Sequence, residues 1–319
     1  MCGIAGIVSA AVGDQIEAST IHRMCQAIVH RGPDDGIFVK NGSVLGMRRL
    51  SIIDLAGRHQ PIFNEDRSVW VAFDGEIYNF PELRAELEKC GHRFSTHTDT
   101  EEIVHLCEDL GSEWVKKLRG LFAFALYDQR RDRLVIARDR LGVKPLHCAL
   151  AGGRLLFGSE IKSILAVAPE LATVNQQALL QYMYFGYIPD PITSFLPIQK
   201  LPPGHLLEFE GGKVHLRQYW DLPEYGIHQP RSEEECLDEL EWRLAEAVRI
   251  RLISDVPLGA LRQLLDEHFH RRRKHSGRIW RLLMFELWHR NFLERILKLN
   301  LAAELSCVNS ANGNLVGRL

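Results

Sequence analysis

Apolar side chains recur at Ile21, Met24, Cys25 and Ile28, the three-to-four spacing of one helical face, and Gly32-Pro33 closes that run. A second helix is predicted after Asn79, with Pro81 in its first turn, Leu83 and Leu87 on one face and Gly91 as the stop. Thr98 and Glu101 have capping-box spacing ahead of a third helix that Gly111 ends. Around these lie short strand-type runs: "SVWVAF" before Asp74, "LFAFALY" at 121–127, "RLVIA" at 133–137 and "RLLFG" at 154–158. "DQRRD" and "AGG" have the composition of hairpin turns, and "FEGGKVHL" reads as a further hairpin. From about Leu171 to Tyr219 the pattern loosens, with five prolines in "PDPITSFLPIQKLPPGH". A long helix then starts at Ser232, with Glu235 as its capping-box partner and Leu237, Leu240, Leu244, Val248 and Leu252 as its apolar positions. The sum is a strand-rich domain with flanking helices, α+β rather than alternating βαβ.

Composition adds little to this picture but excludes several classes. A chain of 319 residues, 46% hydrophobic and 25% charged, can bury a sizeable core. Its formal net charge of -2 gives no general field for nucleic acid or anionic lipid, and "HRRRKHSGR" lacks interleaved aromatics. No nucleic-acid partner is expected. No stretch approaches the roughly 18 apolar residues of a membrane helix, and no signal peptide opens the chain, so neither membrane association nor export is expected. Seven scattered cysteines without a close CxxC pair suit a reduced, cytoplasmic setting. Gly211-Gly212-Lys213 lacks the leading glycine and trailing hydroxyl of a phosphate loop.

The chemistry begins at Cys2. Removal of the initiator methionine would leave an α-amino group, of pKa roughly 7.7–8.0, on the same residue as a thiol, so nucleophile and base would be one residue. The alternative is an ordinary cysteine in a first strand.

The motifs "MCGIAGIV", "HRGPD", "RRLSIIDL", "DGEIYNF", "TDTEEI", "RGLFAFALYD" and "ARDRLGVKPL", in this order, resemble the class II glutamine amidotransferase domain of glutamine-hydrolysing asparagine synthetases. Within that family, "YFGYIPDPITSF" and "KLPPGH" look most like the branch associated with exosortase and exopolysaccharide clusters. The resemblance implies an N-terminal nucleophile fold, an αββα sandwich of two antiparallel sheets. It implies that Cys2 attacks the side-chain amide of L-glutamine through a thioester, and that Gly75 offers its backbone N–H to the oxyanion. Arg49 would hold the substrate carboxylate by a two-pronged contact. Glu76 and Asp99 would meet the substrate ammonium, and Leu50 and Ile52 would complete the glutamine site. Each charged residue also has a plainer reading: Arg49 beside Arg48 as a solvated pair, Asp99 as a charge in a helix's first turn, Glu76 as a surface strand residue.

One position departs from the family. Asp74 stands where asparagine usually supplies the second oxyanion donor, and a carboxylate has no N–H to give. Losing such a donor typically costs about 10²- to 10³-fold in rate. Turnover would then require a protonated Asp74 or a different donor.

By the same resemblance, residues 1–220 form the amidotransferase domain, and 221–260 a linker with the first helix and strand of a synthetase domain. Ala260 is then followed at once by "LRQLLDEHFH" instead of a serine- and glycine-rich pyrophosphate loop, so the ATP and magnesium of the family have no evident cradle. Residues 261–298 resemble a helical C-terminal remnant with Trp280 and Trp288 on an apolar face, and 299–319 a disordered tail. Glutamine hydrolysis itself needs no cofactor. The expected function is the glutamine-hydrolysing half of an asparagine synthetase, with the amidation half lost. The alternative is a non-catalytic glutamine-binding or regulatory module, working as a homodimer or in trans with a full-length homologue.

Overall fold

Strands whose side chains alternate between two apolar environments need cover on both faces, and this chain supplies it in layers. In order along the chain come β1 (Gly3–Ser9), α1 (Ala18–Ala27), β2 (Asp34–Lys40), β3 (Ser43–Arg49), β4 (Ile62–Phe63), β5 (Val69–Ile77), α2 (Phe80–Lys89) and α3 (Glu101–Asp109). There follow β6 (Gly120–Asp128), β7 (Arg133–Arg138), β8 (His147–Ala151), β9 (Arg154–Gly158), α4 (Ile161–Leu165) and α5 (Gln176–Phe185). The last are β10 (Gln199–Lys200), β11 (His205–Glu210), β12 (Lys213–Gln218) and α6 (Glu233–Arg249). The computed structural model describes residues 2–11, 13–40, 43–49, 60–109, 113–222 and 232–250, all within the compact unit Met1–Asp255. Leu50, Ile52 and the proposed remnant and tail at 261–319 lie outside the described residues.

Two six-stranded sheets result, in the orders β10-β8-β9-β1-β3-β2 and β12-β11-β7-β6-β5-β4, with antiparallel pairing throughout. Three apolar clusters separate the layers. Ile21, Met24 and Cys25 of α1 and Ile164 of α4 pack with Ala5, Ile7 and Val44 on the outer face of the first sheet. Leu83, Leu87, Ile103, Val104 and Leu106 of α2 and α3 pack with Val71, Phe73, Phe122 and Phe124 on the outer face of the second. Between the sheets lie Ile4, Val8, Leu45, Met47, Trp70, Ala72, Ala123, Ala125 and Phe157. The period-2 alternation along β1, β3, β5 and β6 divides each strand between two clusters. This is the expected αββα sandwich.

Local signals hold where they are self-contained. α2 follows Asn79 and carries Pro81 in its first turn, although the Asn79 side chain binds Lys117 and Arg119 instead of capping the helix. The Ser232–Glu235 capping box forms reciprocally, with bonds of 2.9 and 3.2 Å. At Thr98 it does not form: the Glu101 carboxylate takes bonds from Ser95 N at 2.7 Å and Thr96 N at 2.7 Å instead. β5 continues through Asp74 to Ile77. The proline-rich stretch conceals α5, capped by Asn175 Oδ1 accepting from Ala178 N at 3.2 Å and ended by Gly186 at φ 77°, a left-handed turn that favours glycine.

Candidate active site

The site is built where β1, β3 and β5 present their inner faces at one end of the sandwich. β1 and β3 pair with Gly3 opposite Arg48. Because Ile4 and Val8 of β1 face the inter-sheet layer, so does Cys2, which is half-buried against that layer. Leu45 and Met47 set the same direction for Arg49, which is buried. Arg48 points the other way: its guanidinium donates to Cys25 O at 3.2 Å and Gln26 Oε1 at 3.1 Å. The alternation therefore separates the two neighbouring arginines, one a tie to α1 and one aimed inward.

On β5, Trp70 and Ala72 belong to the inter-sheet cluster, so Asp74 and Glu76 continue on that face. Gly75 lies opposite Phe122, and a Cβ there would come within 2.2 Å of Leu121 O, so the approach of β6 alone demands glycine. Asp99 is buried behind the strand end, its Oδ2 accepting from Ile77 N at 2.8 Å. Burial lifts its carboxyl to about 6, the Ile77 N–H opposes that lift and the Glu76 charge adds to it.

The joints of this arrangement come from residues to which the sequence reading assigned no role. Arg31 Nε donates to Cys2 O at 2.6 Å, its Nη2 donates to Asp74 Oδ2 at 3.0 Å, and its Nη1 reaches Glu160 Oε1 at 3.1 Å. One guanidinium thus ties Cys2, the residue just before β1, to Asp74 of β5, across the two sheets. Gly3 makes room for it, since a Cβ there would come within 2.7 Å of Arg31 Cδ. The second oxygen of Asp74 faces Lys144, whose Nζ lies 3.0 Å from Oδ1. Lys144 is placed by the buried Asp139 carboxylate, which accepts from the backbone N–H of Leu141, Val143 and Lys144 at 3.1, 3.0 and 2.9 Å. Arg31 and Lys144 stand inside "HRGPD" and "RDRLGVKPL"; charged residues held within such motifs were the available signal.

Asp74, fully buried, is accordingly a carboxylate clasped by two cations. The structure brings Cys2, Arg49, Asp74 and Glu76 to the inner faces, with Asp99 at the end of β5. Chemically this is a thiol on a residue whose carbonyl Arg31 holds, with a cationic and an anionic side chain on the same inner faces suited to the two ends of an amino acid.

The Glutamine amidotransferase domain family matches residues 1–220. The chain is 36% identical over 266 residues to asparagine synthetase [glutamine-hydrolyzing] 1 of Bacillus subtilis (strain 168), covering 82% of this chain and 41% of that protein. It is 35% identical over 263 residues to asparagine synthetase [glutamine-hydrolyzing] 3 of the same organism, covering 81% of this chain and 42% of that one. The chain therefore spans less than half the length of these two relatives. Among solved structures, the glutamine phosphoribosylpyrophosphate amidotransferase from B. subtilis, complexed with ADP and GMP, superposes with a TM-score of 0.51 at 20% identity, covering 69% of this chain and 49% of that chain. That likeness shows the fold.

Proposed function

The chain belongs to the glutamine amidotransferase domain family, and on that premise we propose that it hydrolyses L-glutamine at Cys2 to glutamate and ammonia. The observation that carries this reading is the Arg31 bridge, which fixes the Cys2 carbonyl at 2.6 Å and sets the residue beside the face that bears Asp74 and Glu76. With Met1 removed, the Cys2 thiol gives its proton to its own α-amino group and the sulfur attacks the amide carbon. The tetrahedral intermediate collapses as that proton passes to the leaving nitrogen, releasing ammonia and a glutamyl thioester. Water then breaks the C–S bond, giving glutamate and restoring the thiol. Arg49 takes the substrate carboxylate, Glu76 and Asp99 the ammonium, and Leu50 and Ile52 complete the pocket. Gly75 N–H serves the oxyanion, and the charge of Arg31 and Lys144 replaces part of what an asparagine amide would give.

We propose that the ATP-dependent amidation half is lost. The sequence after Ala260 lacks the glycine- and serine-rich loop that ATP and magnesium require. The exosortase- and exopolysaccharide-associated branch is our placement on the motifs at 184–195 and 200–205, and a cytoplasmic setting on cysteine usage.

The paired state of Asp74 also supports a second reading, a module that binds glutamine without turnover, because a carboxylate held by two cations donates nothing to an oxyanion. A glutamate-release assay on the full chain, with trapping by a glutamine-mimicking electrophile, separates them. Release and labelling at Cys2 support hydrolysis; glutamine binding without release supports the module. Aspartate, ATP and ammonia together should give no asparagine, and asparagine formed there would contradict the loss of the amidation half.

A further inference from the structure

On the helical side of the second sheet, far from any role in the proposed hydrolysis, four side chains converge: Glu65 in the turn between β4 and β5, His92 after α2, and His105 and Glu108 on α3. One ligand atom from each lies within 4.8 Å of all the others. Glu65 Oε2 is 3.4 Å from His105 Nδ1, Glu65 Oε1 is 3.5 Å from His92 Nδ1, and Glu108 Oε2 is 3.7 Å from His105 Nδ1. Such separations are long for hydrogen bonds. The two shorter ones match the edges of a tetrahedron, roughly 3.3–3.6 Å for metal bonds of 2.0–2.2 Å, and the wider separations in the set, up to 4.8 Å, would close on binding.

Glu65 Oε1 already accepts from Arg93 N at 3.0 Å, but polar atoms of the two α3 side chains are unsatisfied. His105 is fully buried, and neither of its ring nitrogens has a hydrogen-bond partner among the described residues. Glu108 Oε2 is likewise buried without one, whereas its Oε1 accepts from Asn64 Nδ2 at 2.8 Å and Arg130 Nη1 at 3.2 Å. An orphaned buried imidazole is costly, and a site that offers it only carboxylate oxygens lacks a cation.

We propose that Glu65, His92, His105 and Glu108 bind one divalent transition-metal ion of the zinc class. Two imidazoles favour zinc over the oxygen-seeking magnesium and calcium. Two carboxylates neutralise the dication, and four protein ligands leave no open position, the pattern of a structural site. The outer contacts agree: His92 Nε2 lies 3.1 Å from Asp109 Oδ2 and His105 Nε2 3.8 Å from Glu101 Oε1, so each imidazole that offers Nδ1 to the metal turns its Nε2 toward a carboxylate. A cavity of about 400 Å³, lined in part by Glu65, Arg93 and Glu101, opens beside the cluster as an entry path. The ion would join the β4–β5 turn and the segment after α2 to α3, the helix that begins two residues beyond Asp99. The rival occupant is a proton. Burial pulls the His105 imidazole down, but the carboxylates of Glu101, Glu108 and Glu65 outweigh it and lift it to about 9.

The test is titration of the full chain, stripped with a chelator, by Zn²⁺ in a calorimeter and by Co²⁺ in the visible spectrum. The proposal expects one ion per chain, a raised melting temperature, and tetrahedral cobalt bands without a thiolate charge-transfer band, which sets the site apart from the seven cysteines. Asp109→Asn should weaken Zn²⁺ binding about 10- to 100-fold, and His92→Ala or Glu65→Gln by more. Both positions are partly exposed, with side chains 14% and 40% accessible, so the variants should keep the far-UV spectrum of the parent. Absence of stoichiometric uptake, uptake unchanged in both His92→Ala and Glu65→Gln, or a cobalt–thiolate band would each overturn the proposal; the first of these is the result expected of a protonated His105.

Discussion

Two buried charge clusters in this molecule are centred on groups of opposite sign. At Asp74, Arg31 and Lys144 bring two cations to one carboxylate. At His105, Glu65, Glu101 and Glu108 bring three carboxylates to one imidazole. Buried charge is tolerated only when it is paired, so the residual sign of a cluster indicates what would complete it. The first is balanced as it stands, because Arg31 also meets the Glu160 carboxylate. The second suits a cation. The sheets set both: one cluster bridges the inner faces, whereas the other is confined to the outer, helix-covered face.

The comparison is broken most severely by removing Arg31. Arg31→Met leaves Asp74 with one cation and Cys2 O without its donor, and should cost about 3–5 kcal/mol in denaturant unfolding, the usual penalty for breaking a buried pair. A loss below 1 kcal/mol would show that the bridge is not structural. Asp74→Asn acts on the same cluster from the other side. It restores an amide donor and should raise the turnover of glutamine by about 10²-fold with little change in KM, because the gain belongs to the transition state. It should also lower stability, since two cations lose their anion. Parallel kinetics and melts on one preparation read both, and an unchanged or lower kcat would contradict the oxyanion argument.

On the cationic side, Zn²⁺ at 100 times its Kd should add about 2.7 kcal/mol to unfolding, read as a shift in melting temperature that His92→Ala abolishes. The smallest effect is at Asp99. Its folded pKa, about 6 against an ordinary 3.8, means that the carboxylate needed for the substrate ammonium is largely protonated at pH 5. KM for glutamine should fall as pH rises through about 6, by up to about tenfold per unit below the midpoint, and Asp99→Asn should flatten the profile. Folding runs the other way: the raised pKa contributes stability that is fully present below 3.8 and is lost as pH rises through about 6. A KM independent of pH from 5 to 7 would remove Asp99 from the binding site.

Much of this architecture was legible because its signals are local. The "AGG" and "FEGGKVHL" hairpins, α2 between Asn79 and Gly91, and the Ser232–Glu235 box each depend on residues a few positions apart. The failures have equally local causes. α5 was hidden by the prolines that follow it, although Asn175 and Gly186 mark its ends, and the box at Thr98 is lost because Ser95 and Thr96 recruit Glu101. Cys2 and Arg49 stood out as candidates only through motif order. Arg31 and Lys144 meet Asp74 from distant parts of the chain, and Glu65, His92, His105 and Glu108 follow no metal-ligand spacing. Tertiary packing of turns, helices and strands creates both sets, and no period in the sequence encodes which residues it will bring face to face.

The central claim is that Cys2 is the nucleophile of a glutamine-hydrolysing site, and glutamate release by the full chain and by Cys2→Ala tests it most directly. The account predicts glutamate and ammonia in equal amounts from the parent protein and none above background from the variant. Release by Cys2→Ala at the parental rate would contradict it.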